Sequence, residues 1–168
     1  MVVHPGASAA SRRWPAGRFA AVAAALRRAG HQVVVTGGAA ERPLATAVAV
    51  QAGLPQAAVL AGRTDLLELA ALVAGARLVL CGDTGVGHLA TAYRTPSVLL
   101  FGPVAAAEWG PPADRAQHVV LRGGAPGRRD PHGDAPDPGL LALEVSEVLS
   151  AVTTVLETRG LAGAATAP

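Results

Sequence analysis

The sequence predicts an α/β domain built on a doubly wound parallel sheet of about six strands. Short apolar runs rich in β-branched residues alternate with segments in which apolar residues recur at helical spacing. The strand runs are apolar almost throughout, as in strands that are covered on both faces. Because right-handed βαβ crossovers are the rule, the simplest strand order is 3-2-1-4-5-6.

The elements follow one another in order along the chain. The predicted strands cover residues 1–4, 32–36, 58–60, 77–81, 97–101 and 118–121. Pro15 suits the first turn of a helix that Gly30 stops, and Glu68 lies near the capping-box position after Thr64. The predicted helices cover residues 15–29, 40–52, 64–73, 89–94 and 140–158. The Gly- and Pro-rich segment 122–139 predicts a mobile loop, and residues 159–168 should fray.

Composition restricts the class of protein. The 168 residues suit one domain, here residues 1–158, and no apolar stretch approaches the roughly 18 residues of a membrane helix. No secretory signal is visible, so we expect a cytoplasmic location. A net charge of +2 and 3% aromatic residues argue against nucleic acid as a partner. Cys81 is the one cysteine; it excludes an intramolecular disulfide and predicts a buried, inert thiol.

A glycine turn follows the fourth predicted strand and leads into a helix. It contains Asp83, Thr84, Gly85, Gly87 and His88. The first turn of a helix has unpaired N–H groups and the positive end of the helix dipole, so this junction can bind phosphate or carboxylate. The alternative is an Asp-capped helix whose glycine turn binds nothing.

The loop after the first strand is polar and cationic. Ser8, Arg12 and Arg13 can hold the oxygens of a diphosphate. The alternative is a solvated loop whose Ser11 caps the next helix, and Trp14 suits a hydrophobic anchor. In the predicted strand order this loop faces the glycine turn across the ligand crevice. The G-x-G-x-x-G fingerprint of dinucleotide enzymes is absent.

The loop after the second strand contains Gly37, Gly38 and Glu41. An acidic residue near this position commonly binds ribose hydroxyls, although a first-turn Glu that favours the helix dipole is an equal alternative. His132 and Asp134 fall in the Gly- and Pro-rich segment, where too few ligands are present for a metal site. We therefore expect no metal.

Five segments occur together in a recognisable order. They are residues 4–8 with 12–15, 36–38 with 41, 60–66 with 68–70, 83–85 with 88, and 95–96 with 100–103. Over roughly residues 1–150 the chain thereby resembles glycosyltransferase family 9, the bacterial heptosyltransferases of the lipopolysaccharide core. Proteins of that family have two Rossmann-like domains in the GT-B arrangement, and this chain resembles the carboxy-terminal, donor-binding one.

The resemblance implies a nucleotide-sugar donor, typically ADP-heptose, and metal-independent transfer with inversion to a glycan or lipid-linked acceptor. Arg12 stands where the family usually has a phosphate-contacting lysine, and Ser8 where it has a small hydroxyl residue. Asp83, Thr84 and Gly85 match its sugar- and phosphate-binding segment. His88 matches that segment's closing histidine, and Glu41 matches the acid near the nucleoside.

The family's catalytic base lies in its amino-terminal domain, which we expect this chain to lack. The catalytic residue is thus unknown, the chain alone is expected to be inactive, and the acceptor and any peripheral membrane contact would require the missing half. A gene fragment is favoured over a half-enzyme that pairs with another polypeptide or a stand-alone module. The competing functions are a non-catalytic nucleotide-binding or protein-interaction module that needs a partner chain and, less favoured, a nucleotide-sugar epimerase or another phosphate-binding protein.

Overall fold

Five parallel strands form one sheet in the computed structural model, which describes residues 1–123 and 130–164, with side chains to residue 158. The strands are β1 (Val2–His4), β2 (Val34–Val35), β3 (Val79–Gly82), β4 (Ser97–Phe101) and β5 (His118–Arg122). Their order is β2-β1-β3-β4-β5, and every pairing is parallel. The winding reverses between β1 and β3, so the predicted doubly wound sheet is confirmed.

The third of the six predicted strands was wrong as a strand. Residues 58–60 contribute only an isolated parallel bridge, Val35 to Val59, at the edge beside β2. A 3₁₀ turn occupies Gln56–Ala58, so the chain reaches the sheet for a single residue before it turns at Gly62, where φ is +68°. The predicted strand order is otherwise retained.

Helices cover both faces of the sheet. They are α1 (Ala16–Arg28), α2 (Arg42–Gln51), α3 (Leu66–Ala74), α4 (Gly85–Ala92), α5 (Ala106–Trp109), α6 (Pro138–Ala142) and α7 (Val145–Ala164). One face packs with α1, α2 and α7 through Val3, Leu80 and Leu100. The other face packs with α3 and α4 through Val79 and Leu99. The core therefore has two layers, and strand residues alternate between them.

Of two predictions made near helix starts, one was wrong by one residue and the other is confirmed. The helix α3 is capped by Asp65, whose side chain accepts from the Glu68 amide while Glu68 accepts from the Asp65 amide, so the cap is one residue later than Thr64. The buried Trp14 meets Phe19 edge to face with ring centroids 5.1 Å apart, and its Nε1 donates to the Leu143 carbonyl. Its prediction as an anchor is confirmed.

The carboxy-terminal part differs from the single helix predicted over residues 140–158. A short helix, α6, is followed by α7, which continues to Ala164 through part of the tail that was expected to fray. Residues 165–168 lie outside the described residues, as do residues 124–129 of the predicted mobile loop. In the part of the chain that the structure describes, no helix is long and apolar enough to cross a bilayer.

Candidate functional site

A cleft of about 840 Å³ lies at the carboxyl edge of the sheet, where the loop after β1 meets the β3–α4 junction. Five predicted site residues line it together: Arg12, Asp83, Thr84, Gly85 and His88. The volume is within the range of small-molecule sites, roughly 300–1,000 Å³. The convergence of these two loops is the arrangement that the predicted strand order requires.

An ion pair between two residues that line the cleft joins the two loops. Arg12 Nη1 lies 3.4 Å from Asp83 Oδ2, and the two side chains are 22% and 8% exposed. The Nε of Arg12 donates to the Pro131 carbonyl at 3.1 Å. The guanidinium is therefore held in one orientation from two sides, while part of it still faces the cleft.

Burial dominates the electrostatics of Asp83. It raises the pKa of this carboxyl above its ordinary value, because the charged form loses hydration. The positive charges of Arg12 and His88 act in the opposite direction and favour the carboxylate. The ion pair with Arg12 therefore stabilises the charged form of this acid against its burial.

The amino terminus of α4 is open toward the cleft. Its N-cap residue, Thr84, makes no side-chain cap hydrogen bond, and a Cβ placed on Gly85 would meet no heavy atom within 4 Å. The alternative of an Asp-capped helix is wrong, since the Asp83 carboxylate pairs with Arg12 instead. First-turn N–H groups and an arginine therefore border one space, a combination that suits an anion.

Gly37, Gly38 and Glu41 do not line this cleft and form a second cluster beside it. Glu41 Oε2 accepts from the Gly38 amide at 2.8 Å. The same carboxylate lies against the backbone of Gly6, where a Cβ would be 2.0 Å from Oε1. Glu41 thus joins the loops after β1 and β2, and its charge opposes the burial that lowers the pKa of His4.

Other predicted residues are placed away from the cleft. The guanidinium of Arg13 donates to the Ala7 carbonyl at 2.9 and 2.7 Å, and Ser8 is exposed elsewhere on the loop. Gly87 is buried on the sheet side of α4, where a Cβ would lie 3.2 Å from Leu99 Cδ2. It allows close helix packing and does not border the cleft.

The alternative proposed for Ser11 is wrong, since it does not cap α1. The N-cap position of α1 is Pro15, and no side-chain cap is present there. Ser11 is buried in a 3₁₀ turn, Ala10–Arg12. Its amide donates to the Gly133 carbonyl, and its own carbonyl accepts from Asp137. Part of the predicted mobile loop is therefore attached to the first loop.

Several cleft residues were missed from the sequence. They are Glu108 and Trp109 of α5, Arg122 at the end of β5, and Pro131 with His132. The available signal for Glu108 and Trp109 was that a tryptophan directly precedes the Gly110-Pro111 turn signal. In the described ranges, 1–123 and 130–164, no group of three His, Cys, Asp or Glu side chains is placed to hold a metal ion.

Fold and cleft define a class: doubly wound α/β domains whose ligand crevice lies at the switch point of the sheet. Comparison with known proteins identifies the family within this class. Residues 1–131 match the model of glycosyltransferase family 9 (heptosyltransferase). The chain belongs to that family.

The relatives are longer proteins. Lipopolysaccharide heptosyltransferase 3 of Escherichia coli is 34% identical over 113 residues, which are 66% of this chain and 33% of the relative. Lipopolysaccharide heptosyltransferase 1 of Pseudomonas aeruginosa is 40% identical over 99 residues, covering 58% and 27%. The solved E. coli ADP-heptose lps heptosyltransferase II superposes with a TM-score of 0.79 at 25% identity, covering 95% of this chain and 46% of that one. The matched segment of this chain spans 27–33% of the length of these two sequence relatives.

Proposed function

We propose that this chain is the donor-binding part of a heptosyltransferase and that its cleft binds the diphosphate of a nucleotide sugar such as ADP-heptose. The observation that carries the proposal is the convergence of the Arg12 guanidinium and the open start of α4 on one cleft. Family membership supports a sugar as the transferred group. An arginine with a fixed planar fork suits phosphate oxygens, which can accept two of its hydrogen bonds.

Transfer breaks the bond between the anomeric carbon and the diphosphate, and negative charge then grows on the departing phosphate oxygens. Arg12 and the first-turn N–H groups of α4 are placed to stabilise that charge without reorganisation. Asp83 holds Arg12 in position through the ion pair. The other half of the enzyme would hold the acceptor and supply the base that deprotonates it, so that the acceptor attacks the anomeric carbon with inversion. No step here uses a metal.

Glu41 is the candidate for the nucleoside. Its second carboxylate oxygen lies against the backbone of Gly6, and Glu41 follows β2, the strand beside β1. A ribose placed there could donate its hydroxyls to this oxygen while the diphosphate reaches Arg12. The same carboxylate keeps its bond from Gly38, so it would be oriented before the ligand arrives.

Thermal unfolding with ADP, UDP, GDP and CMP tests the proposal. Ligand at about a hundredfold its dissociation constant stabilises by roughly 2.7 kcal/mol, and we expect a clear upward shift with ADP. Arg12→Ala should abolish the shift. Arg27→Ala is the matched control, because Arg27 also donates to a backbone carbonyl, that of Ala52, but lies away from the cleft.

The result that would overturn the proposal is the absence of a shift with every nucleotide, which would favour the protein-interaction module instead. If Arg12→Ala and Arg27→Ala reduce the ADP-induced increase in Tm equally, Arg12 has no specific part in binding the ligand. A shift with UDP alone would retain a donor site and change the nucleoside.

A further inference from the structure

The cleft contains a large apolar side chain that the phosphate chemistry does not use. Trp109 is 57% exposed, whereas the other tryptophan, Trp14, is 2% exposed. Leaving that much of an indole in water forgoes the burial that makes aromatic side chains stabilising. Its exposed surface borders the same space as Arg12 and His88.

Trp109 reaches beyond the main cleft. It also borders a narrow crevice with Thr91, Phe101 and Pro111, which lies beside the main cleft. The amides of Trp109 and Gly110 donate to the carbonyls of Ala105 and Ala106, which fixes the short helix α5. Trp109 therefore borders the cleft from a backbone that is hydrogen-bonded within its own short helix.

The strand order gives the carboxyl edge of the sheet a direction. Glu41 follows β2, Arg12 and Thr84 follow the central strands β1 and β3, and Trp109 follows β4. Neighbouring strands lie about 4.8 Å apart, so three spacings place the β2 and β4 ends about 14 Å apart. A nucleoside near Glu41 and a diphosphate at Arg12 thus direct the third part of the ligand, the sugar, toward α5.

We propose that Trp109 is the contact surface for the donor sugar and that Glu108 beside it accepts hydrogen bonds from sugar hydroxyls. This inference rests on the proposed function and names the subsite that it leaves open. A sugar ring has an apolar face of C–H groups that can cover the indole, while its rim of hydroxyls meets the carboxylate. Both residues line the cleft from the same four-residue helix.

The test compares ADP with ADP-heptose by isothermal titration calorimetry on the whole chain. In Trp109→Ala we expect unchanged ADP affinity and about tenfold weaker ADP-heptose binding, while Trp109→Phe keeps most of it, since a ring remains. Because Trp109 is mostly exposed, its removal leaves the core intact; circular dichroism and the ADP titration check the fold.

Fluorescence gives an independent readout, because the two tryptophans differ so strongly in exposure. Acrylamide should quench Trp109 and spare Trp14. ADP-heptose should protect Trp109 from quenching, and ADP alone should not.

The outcomes separate the two proposals. If ADP binds and Trp109→Ala lowers the affinities for ADP and ADP-heptose equally, the sugar subsite is overturned and the donor site stands. The same conclusion follows if the substitution changes neither affinity. If ADP-heptose leaves quenching unchanged, the subsite is overturned as well. If neither ligand binds the unmodified chain, the proposed function and this inference fail together.

Discussion

Removing Arg12 should destabilise the folded protein even without a ligand, because Asp83 would keep its burial and lose its ion pair. At the observed 3.4 Å the Coulomb attraction is about 1 kcal/mol with the dielectric constant of water and about 5 kcal/mol at an effective value of 20. Arg12 is 22% exposed, which places the pair between these limits. We expect Arg12→Ala to lower the free energy of unfolding by about 2 kcal/mol, or roughly 4–8 °C in Tm.

The loss should depend on pH with a definite sign. Burial already raises the folded pKa of Asp83 above its unfolded value, and Arg12 opposes that rise. Without Arg12 the folded pKa rises further, so the folded state retains a proton that the unfolded state has released. Stability of the variant then falls as pH increases through that window and stays low above it. The difference in the free energy of unfolding between the variant and the unmodified chain is therefore largest at pH 7. It decreases as the pH falls toward the ordinary pKa range of a carboxyl group.

The assay is urea unfolding of four proteins at pH 7 and at about pH 5: the unmodified chain, Arg12→Ala, Asp83→Asn and the double variant. A neutral amide at position 83 needs no cation, so the double variant should recover most of the loss. A coupling energy near zero would refute the reasoning. The same conclusion would follow if the loss from Arg12→Ala were identical at both pH values.

Two further predictions concern packing. Gly6→Ala should lower the free energy of unfolding by about 1 kcal/mol, because its Cβ would push the flexible Glu41 carboxylate away from the Gly38 amide. Gly85→Ala has open space and should leave the free energy of unfolding unchanged or slightly higher. Urea unfolding measures both, and equal costs would contradict this prediction. Cys81 is buried and its pKa is raised to about 12, so iodoacetamide at pH 8 should modify it only after unfolding, and rapid labelling of the folded chain would show that the thiol is accessible.

Periodicity and turn chemistry were enough to predict the layered fold. Apolar runs located every strand of the sheet, and the chirality of βαβ units ordered them. A strand was predicted over residues 58–60 where only a bridge at Val59 forms, because a short apolar run does not determine how many residues pair with the edge strand. The start of α4 was placed too late, since glycines in a first turn look like loop residues until helix packing fixes them.

The strand order was enough to predict that the loops after β1 and β3 meet at one cleft. Asp83, Thr84 and Arg12 met because strand order alone brings their loops together. Arg13 was predicted alongside Arg12. However, Arg12 ends a 3₁₀ turn while Arg13 has an extended backbone, and Arg13 binds the Ala7 carbonyl. Trp109 was missed as a cleft residue, because its position depends on a four-residue helix that is too short to show a periodic pattern in the sequence.

The attachment of the first loop to Gly133 and Asp137 also bears on how the protein folds. Arg12 donates to a carbonyl 119 residues further along the chain. At roughly 5–20 residues per second, a growing chain would present this loop on the order of 10 s before its partner is synthesised. Contacts so distant in sequence form late, because the intervening chain must first lose its freedom. The cleft should therefore mature late, and in a chain that ends after β5 the Arg12 guanidinium would keep Asp83 and lose its second contact, the Pro131 carbonyl.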